Sequence, residues 1–379
     1  MRTLRGSLQN TSRTESGRKD NNARVNTAMT SPKRKLSVSD FLELAHYNPV
    51  IDVRSPAEFL AGHIPGSLNI PLFDDREREA VGIRYKKEGR LPAILLGLEL
   101  TGPKMSGKLE MALAAANKGK LLVHCWKGGM RSEAMAWLFS LGGIETEILD
   151  GGYKSYRYHL LENLGEKRNY IILGGLTGSG KTEILKTMKS LGHQVIDLEG
   201  IACHKGSAFG SLGQPPQPTS EHFANILYSE LEKTDPEKTV WLEDESKSIG
   251  TVFMPDQFYN TMQESPVVAI IMDVRTRMPR LLKEYSAHSR EDLLASVRKI
   301  SKRLGGDNTR QSVESIESGN FEKAIEIALN YYDKAYMYGI RRRGERHIRF
   351  VETVTDDVTE NIHRILEAAG ISENVNDLQ

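Results

Sequence analysis

Cysteine is scarce, with only Cys125 and Cys203 in 379 residues. Two thiols exclude a disulfide framework and fit a reducing, cytoplasmic compartment in which a reactive thiol survives. Long apolar runs are missing too. No uninterrupted apolar stretch reaches the roughly 20 residues of a membrane span, so no membrane partner is expected. Net charge is almost absent at +1, but it is unevenly spread. Residues 1–35 hold nine Lys/Arg against Glu15 and Asp20, a net +7, which leaves −6 for the rest. That segment is rich in Ser, Thr and Asn and lacks apolar periodicity, so it is expected to be a disordered basic tail. A transit peptide would share its Arg- and Ser-rich character. What remains is ordinary: 39% hydrophobic and 27% charged residues over a length that suits two or three globular domains.

The stretch Leu121 to Ala136, LLVHCWKGGMRSEAMA, carries the first chemistry. LLVHC reads as a buried strand, WKGGM as a glycine-bearing loop, and RSEAMAWLFSLGG as a helix that stops at Gly142 and Gly143. Cys125 then sits beside a helix N-terminus, where free N–H groups and the helix dipole favour a negative charge. Arg131 closes the loop and pushes the same way, so Cys125 is expected to be an activated thiolate with a lowered pKa. The alternative is an inert buried cysteine, which two glycines and an arginine within one turn make the poorer account.

Upstream, SVSDFLELAHYN suggests an N-capped helix from Val38 and PVIDVR a strand. The run Ile51 to Leu72, IDVRSPAEFLAGHIPGSLNIPL, together with the Cys125 loop resembles the rhodanese domain, over roughly Val38 to Arg157. Asp52 and Arg54 fall at the carboxyl end of a strand, where open α/β sheets place ligands. They can equally form a structural ion-pair set with Glu58. From Cys125 to Arg131 the spacing is C-x5-R, one loop residue more than sulfur-transferring rhodaneses have. With His124 and Ser132 it also fits the signature of cysteine phosphatases, which makes that class a rival. The longer loop suits a phosphate-sized anion.

A second cradle follows in NYIILGGLTGSGKTEILKTMKSLG, where Gly175 to Thr182 form a full G-x-x-x-x-G-K-[ST] between an apolar strand and a helix. Gly175, Gly178, Ser179 and Gly180 present backbone N–H groups to phosphate oxygens, and Lys181 adds charge. Thr182 can hold a magnesium ion. TVWLEDES ends an apolar strand in acids, so either Glu243 or Asp244 is the second metal-side carboxylate, with Asp244 the working choice.

From Val38 to about Phe350 the chain resembles the family of bacterial tRNA 2-selenouridine synthases. The stretches DDREREAVGIRYKKEG, GGYKSYR, IDLEGIACHKGSAFG, QPPQPTSEHF, EDESKSIG, KRLGG and YYDKAY carry the likeness. Cys203 and Lys205 depart from it, standing where Asn and Arg are expected. The resemblance implies an N-terminal rhodanese-like parallel-sheet domain, 36–160, and a C-terminal P-loop NTPase-like α/β domain with an RNA-binding surface, 161–370. A frayed end would follow at 371–379.

The implied reaction exchanges the sulfur of a wobble 2-thiouridine in tRNA for selenium from selenophosphate. An S-geranyl intermediate made from geranyl diphosphate would precede the exchange. The implied roles are nucleophile and selenium carrier for Cys125, and selenophosphate binding for Lys127, Gly128, Gly129, Met130 and Arg131. The P-loop would take the diphosphate, with Mg2+ possible and no tightly bound cofactor. A cysteine phosphatase or sulfurtransferase on a nucleotide-binding module, or a non-catalytic RNA-binding protein, are the alternatives. Basic runs offer RNA contacts at Arg275, Arg277, Arg303, Arg341, Arg342 and Arg343. Tyr285, Tyr331, Tyr332, Tyr336 and Tyr338 are interleaved with them as stacking surfaces.

Overall fold

The computed structural model describes residues 34–207, 209–343 and 347–371. Residues 1–33 of the expected 1–35 tail and the chain end from 372 lie outside the described residues, whereas Lys35, expected in that tail, stands in a strand paired with Ile148. Contacts divide the chain into two units. The first ends at Tyr156; the second takes Arg157 onwards together with Ala61–Pro65.

The first unit is a five-stranded, wholly parallel sheet. Its strands are β1 (Lys35–Leu36), β2 (Val50–Asp52), β3 (Leu68–Asn69), β4 (Lys120–His124) and β5 (Glu145–Leu149), in the order β1-β5-β4-β2-β3. Residues Leu121 to His124 are buried, because a parallel strand covered on both faces must be apolar throughout. Helix α1 (Val38–Ala45) starts where the Ser37 hydroxyl accepts the Asp40 N–H. After α2 (Pro56–Ala61), α3 (Asp75–Glu88) opens on a capping box between Asp74 and Glu77. Gly89, at φ +91°, ends it and starts α4 (Arg90–Thr101). Helix α5 (Met105–Ala115) follows, then α6 (Met130–Leu141), and α7 (Gly152–Asn163) leads out of the unit. The core packs Ile51, Val53, Val123, Met135, Phe139 and their neighbours, with Cys125 among them.

The second unit has its own parallel sheet, in the order β12-β11-β6-β8-β7. The strands are β6 (Tyr170–Gly175), β7 (Gln194–Ile196), β8 (Val240–Glu243), β11 (Val267–Met272) and β12 (Ile348–Thr353), and a small antiparallel hairpin joins β9 (Ser248–Ile249) to β10 (Val252–Phe253). Its first strand, β6, is central, so the loop after it meets the carboxyl ends of both neighbours. The helices are α8 (Lys181–Ser190), α9 (Leu198–Ala202), α10 (Ser220–Leu231), α11 (Asp256–Glu264) and α12 (Val274–Tyr285). They continue as α13 (Arg290–Lys299), α14 (Ser301–Leu304), α15 (Gly306–Glu317), α16 (Phe321–Arg341) and α17 (Val358–Ala369). One core lies on the sheet around Trp241, Ile270 and Ile365. Helices α12 to α16 build further apolar clusters of their own around Leu281, Leu293, Val297 and Ile325. Among the described residues no helix is long and apolar enough to cross a membrane.

Candidate active site

Cys125 follows the last residue of β4, and its loop runs to Gly129, directly before α6. No side chain caps that helix, which leaves the N-terminal donors to the loop. Gly128 is at φ +62°, and a Cβ there would run into the Leu149 carbonyl, so the loop needs glycine for both its conformation and its packing. The start of α7 clamps the other side: the Tyr153 and Lys154 N–H groups donate to the Cys125 and Trp126 carbonyls at 2.8 and 3.0 Å. Met130 is already helix rather than loop, with Arg90 Nη2 3.6 Å from its sulfur.

The thiol is 3% exposed. Burial pushes its pKa up, but the Ser132 hydroxyl, the Arg131 charge and the N–H groups of Lys127 and Ser132 outweigh it. The net shift is downward. Arg131 is held by Glu58 at 2.6 and 3.3 Å. Burial would raise the Glu58 carboxyl, but its bonds to Arg131 and to the Ser55 N–H bring it below the ordinary value.

The ion-pair set expected around Asp52, Arg54 and Glu58 is therefore split in two. Arg54 closes on Asp52 at 2.6 to 3.0 Å, wholly buried, and lies 3.8 Å over the Tyr153 ring. His124 Nε2 stands 3.8 Å from the same carboxylate. This pair braces the end of β4 from inside, whereas Glu58 reaches across to the thiol loop.

The P-loop runs from the end of β6 into α8, whose N-cap Gly180 is left-handed at φ +80°. A Cβ at Gly180 would crowd the Arg280 guanidinium at 3.0 Å. Lys181 Nζ donates to the Gly175 carbonyl at 2.9 Å, and Thr182 Oγ1 to Glu199 at 3.2 Å. The carboxylate bonded to Thr182 is thus that of Glu199, which the sequence reading missed. Its signal was the acid just past β7, the same pattern that singled out β8.

Burial raises the Glu199 carboxyl in spite of Lys181, and it raises Glu245 further, where the Glu199 charge adds to burial. Glu243 is buried, accepts the Leu198 N–H at 2.7 Å and has its pKa pushed well up, first by burial. It is not among the residues that line the cavity at the P-loop. Asp244 does line the cradle, but Arg343 binds its carboxylate at 2.6 Å.

These residues open onto a cavity of about 670 Å³. Lys181, Thr182, Glu199, Lys205 and Arg280 lie on its polar side; Phe209, Leu212, Leu281, Tyr285, Tyr332 and Tyr336 supply an apolar and aromatic wall. Lys205 pairs with Glu284, and Arg280 with Glu183.

Two of the arginines expected at RNA are removed from that role. Arg277, 1% exposed, donates to the Met272 and Thr177 carbonyls at 2.9 and 2.8 Å and binds Asp333 at 3.1 and 2.6 Å. It braces the P-loop from behind, because its place on α12 turns it toward the sheet. Arg343 points inward to Asp244 and Gln263. Arg275, Arg303, Arg341 and Arg342 are exposed, with Arg342 5.9 Å over the Tyr338 ring. Of the five tyrosines, Tyr285, Tyr332 and Tyr336 line the cavity and Tyr331 packs on a core cluster, while Tyr338 faces solvent.

A cysteine of lowered pKa at a helix start in one parallel-sheet unit and a P-loop in another define a group-transfer protein of the rhodanese and P-loop kind. Family models agree unit by unit: residues 37–159 match the rhodanese-like domain and residues 168–368 the tRNA 2-selenouridine synthase AAA domain. Proteins named tRNA 2-selenouridine synthase are similar over most of the chain. That of Nitrosomonas europaea is 32% identical over 348 residues, 78% of this chain and 90% of that protein. That of Shewanella piezotolerans is 35% identical over 358 residues, 85% and 95% respectively, and that of a Sulfurovum species 35% over 350, 81% and 93%. The chain belongs to the tRNA 2-selenouridine synthase family of enzymes.

Proposed function

We propose that the chain exchanges the sulfur of a wobble 2-thiouridine in tRNA for selenium, drawing selenium from selenophosphate and passing through an S-geranyl intermediate. The observation that carries this reading is the two-sided cavity of the second unit, in which a P-loop adjoins an aromatic and aliphatic wall. A prenyl diphosphate uses both, its diphosphate on the P-loop and its hydrocarbon on the wall, where Leu212 and Leu281 add aliphatic surface. Its diphosphate lies on the Gly178 and Gly180 N–H groups and Lys181, and its hydrocarbon against Phe209, Leu212 and Leu281.

Alkylation turns a poor thiocarbonyl leaving group into one that departs as a thiol. As the thiouridine sulfur attacks the allylic carbon, charge grows on the diphosphate, and donors already fixed there stabilise the transition state more than the ground state. Thr182 and Glu199 offer the hard oxygen donors that suit a magnesium ion, which would add positive charge at the same diphosphate.

Selenium exchange falls to the first unit. There the lowered Cys125 pKa favours the anionic sulfur, and the uncapped start of α6 with Arg131 holds the phosphate of the donor. A cysteine phosphatase would share this loop but has no use for the second cradle. Exposed Arg275, Arg303, Arg341 and Arg342 are the cations proposed to meet tRNA phosphates.

Mass analysis of wobble nucleosides, from purified chain supplied with thiolated tRNA, geranyl diphosphate and selenophosphate, tests the whole scheme. Geranylated and then selenated nucleoside is the expected course. Selenation with no geranylated species, or geranylation that requires stoichiometric ATP or GTP hydrolysis, refutes it.

A further inference from the structure

The cavity that starts at the P-loop is closed on one side by two rings. Phe209 and Tyr285 meet edge to face, centroids 4.8 Å apart and planes at 69°, and both line the cavity. The same two rings also border a separate apolar void of about 10 Å³ inside the helical part of the unit. Leu293, Val297, Ile316, Ala324 and Ala328 enclose its far side. So small a void holds no more than about one water. The rings are thus a partition with a substrate-sized space in front and a nearly filled core behind.

Resting on the prenyl-diphosphate reading above, we propose that Phe209 and Tyr285 are the stop that sets the chain length of the donor. A tail anchored at its diphosphate is measured from one fixed end, so whatever blocks its path decides how many carbons enter. Tyr285 packs against two apolar clusters at once, with Leu293 and Val297 on one side and Met278 and Leu281 on the other. Moving its ring to admit a longer tail would open both. A shorter tail would leave the Phe209 and Leu212 faces in contact with water and forgo their burial. Beyond the partition the wall holds two small side chains, Ala324 and Ala328, one turn apart on α16, among larger ones such as Leu293, Ile316 and Phe321. Removing the Phe209 ring would therefore join void to cavity, where a larger residue behind it would not.

The test is competition among dimethylallyl, geranyl and farnesyl diphosphates, with five, ten and fifteen carbons, on thiolated tRNA and the full chain. The readout is the ratio of kcat/KM for farnesyl over geranyl. Phe209→Ala should raise that ratio by about 10- to 100-fold, the usual selectivity of a hydrophobic pocket for a change in chain size. Adding Ala328→Leu to Phe209→Ala should refill the space and return the ratio toward its starting value. Phe209→Leu, milder for folding, should shift the ratio in the same direction by less. An unmoved ratio in variants that still turn over geranyl diphosphate overturns the stop alone. No turnover of any of the three donors by the unaltered chain overturns the donor reading and the stop with it.

Discussion

Arg277→Met separates a bracing arginine from an RNA contact. The guanidinium is buried and makes four hydrogen bonds: one to the Met272 carbonyl, one to the Thr177 carbonyl within the P-loop, and two to Asp333. Methionine fills much of the volume but leaves both carbonyls and a carboxylate without their donor. Breaking a buried pair from one side costs about 3–5 kcal/mol. Asp333 keeps about a quarter of its side-chain surface in water, 23%, which places the expected loss near the lower end, about 3 kcal/mol.

In a unit of this size each kcal/mol moves the midpoint by roughly 2–4 °C, so thermal unfolding should shift down by about 6–12 °C. Asp333→Asn in the Arg277→Met background should recover part of the loss, since the uncompensated charge is gone. Geranylation should fall with the displaced Thr177 carbonyl, while the salt dependence of tRNA binding stays as it was. A midpoint within 2 °C of the parent, together with a slope of log affinity against log salt reduced by about 0.7–0.9, would return Arg277 to the RNA surface and refute the bracing argument.

Cys125 should react with iodoacetamide at pH values below the ordinary thiol range, because its lowered pKa leaves thiolate present there. Arg131→Leu should move that profile upward, and an identical profile would remove Arg131 from thiol activation. Cys125→Ala should stop selenation while geranylated nucleoside accumulates; loss of both products would show that the two cradles do not work separately. Lys181→Ala removes one fixed donor and should slow geranylation by roughly two to three powers of ten, with pre-geranylated tRNA still converted when selenophosphate is supplied. Charge reversal at Arg341 and Arg342 should weaken tRNA binding and flatten its salt dependence by about 0.7–0.9 per lost contact, measured by titration at several salt concentrations.

Local rules were enough to read much of this chain. The strand, glycine loop and helix around Cys125, and again around Lys181, stand where periodicity and punctuation put them. Buried parallel strands are continuous apolar runs, and glycines mark loops that no side chain can enter. The likeness to selenouridine synthases was legible from contiguous stretches of sequence, some of them loops and strand ends and others, such as DDREREAVGIRYKKEG and YYDKAY, helical.

Charge partners were not legible, because they depend on which residues distant segments bring together. Glu58 lies 73 positions from Arg131, and Asp333 lies 56 from Arg277, yet each closes a bidentate pair. A basic run on a helix has the same composition whether it faces water or the back of a P-loop, and only the packing of α12 on the sheet decided that Arg277 turns inward. The acid beside Thr182 was likewise decided in three dimensions, by the neighbouring ends of β7 and β8. So was the apolar wall beside the P-loop, where Phe209 meets Tyr285 from 76 residues away.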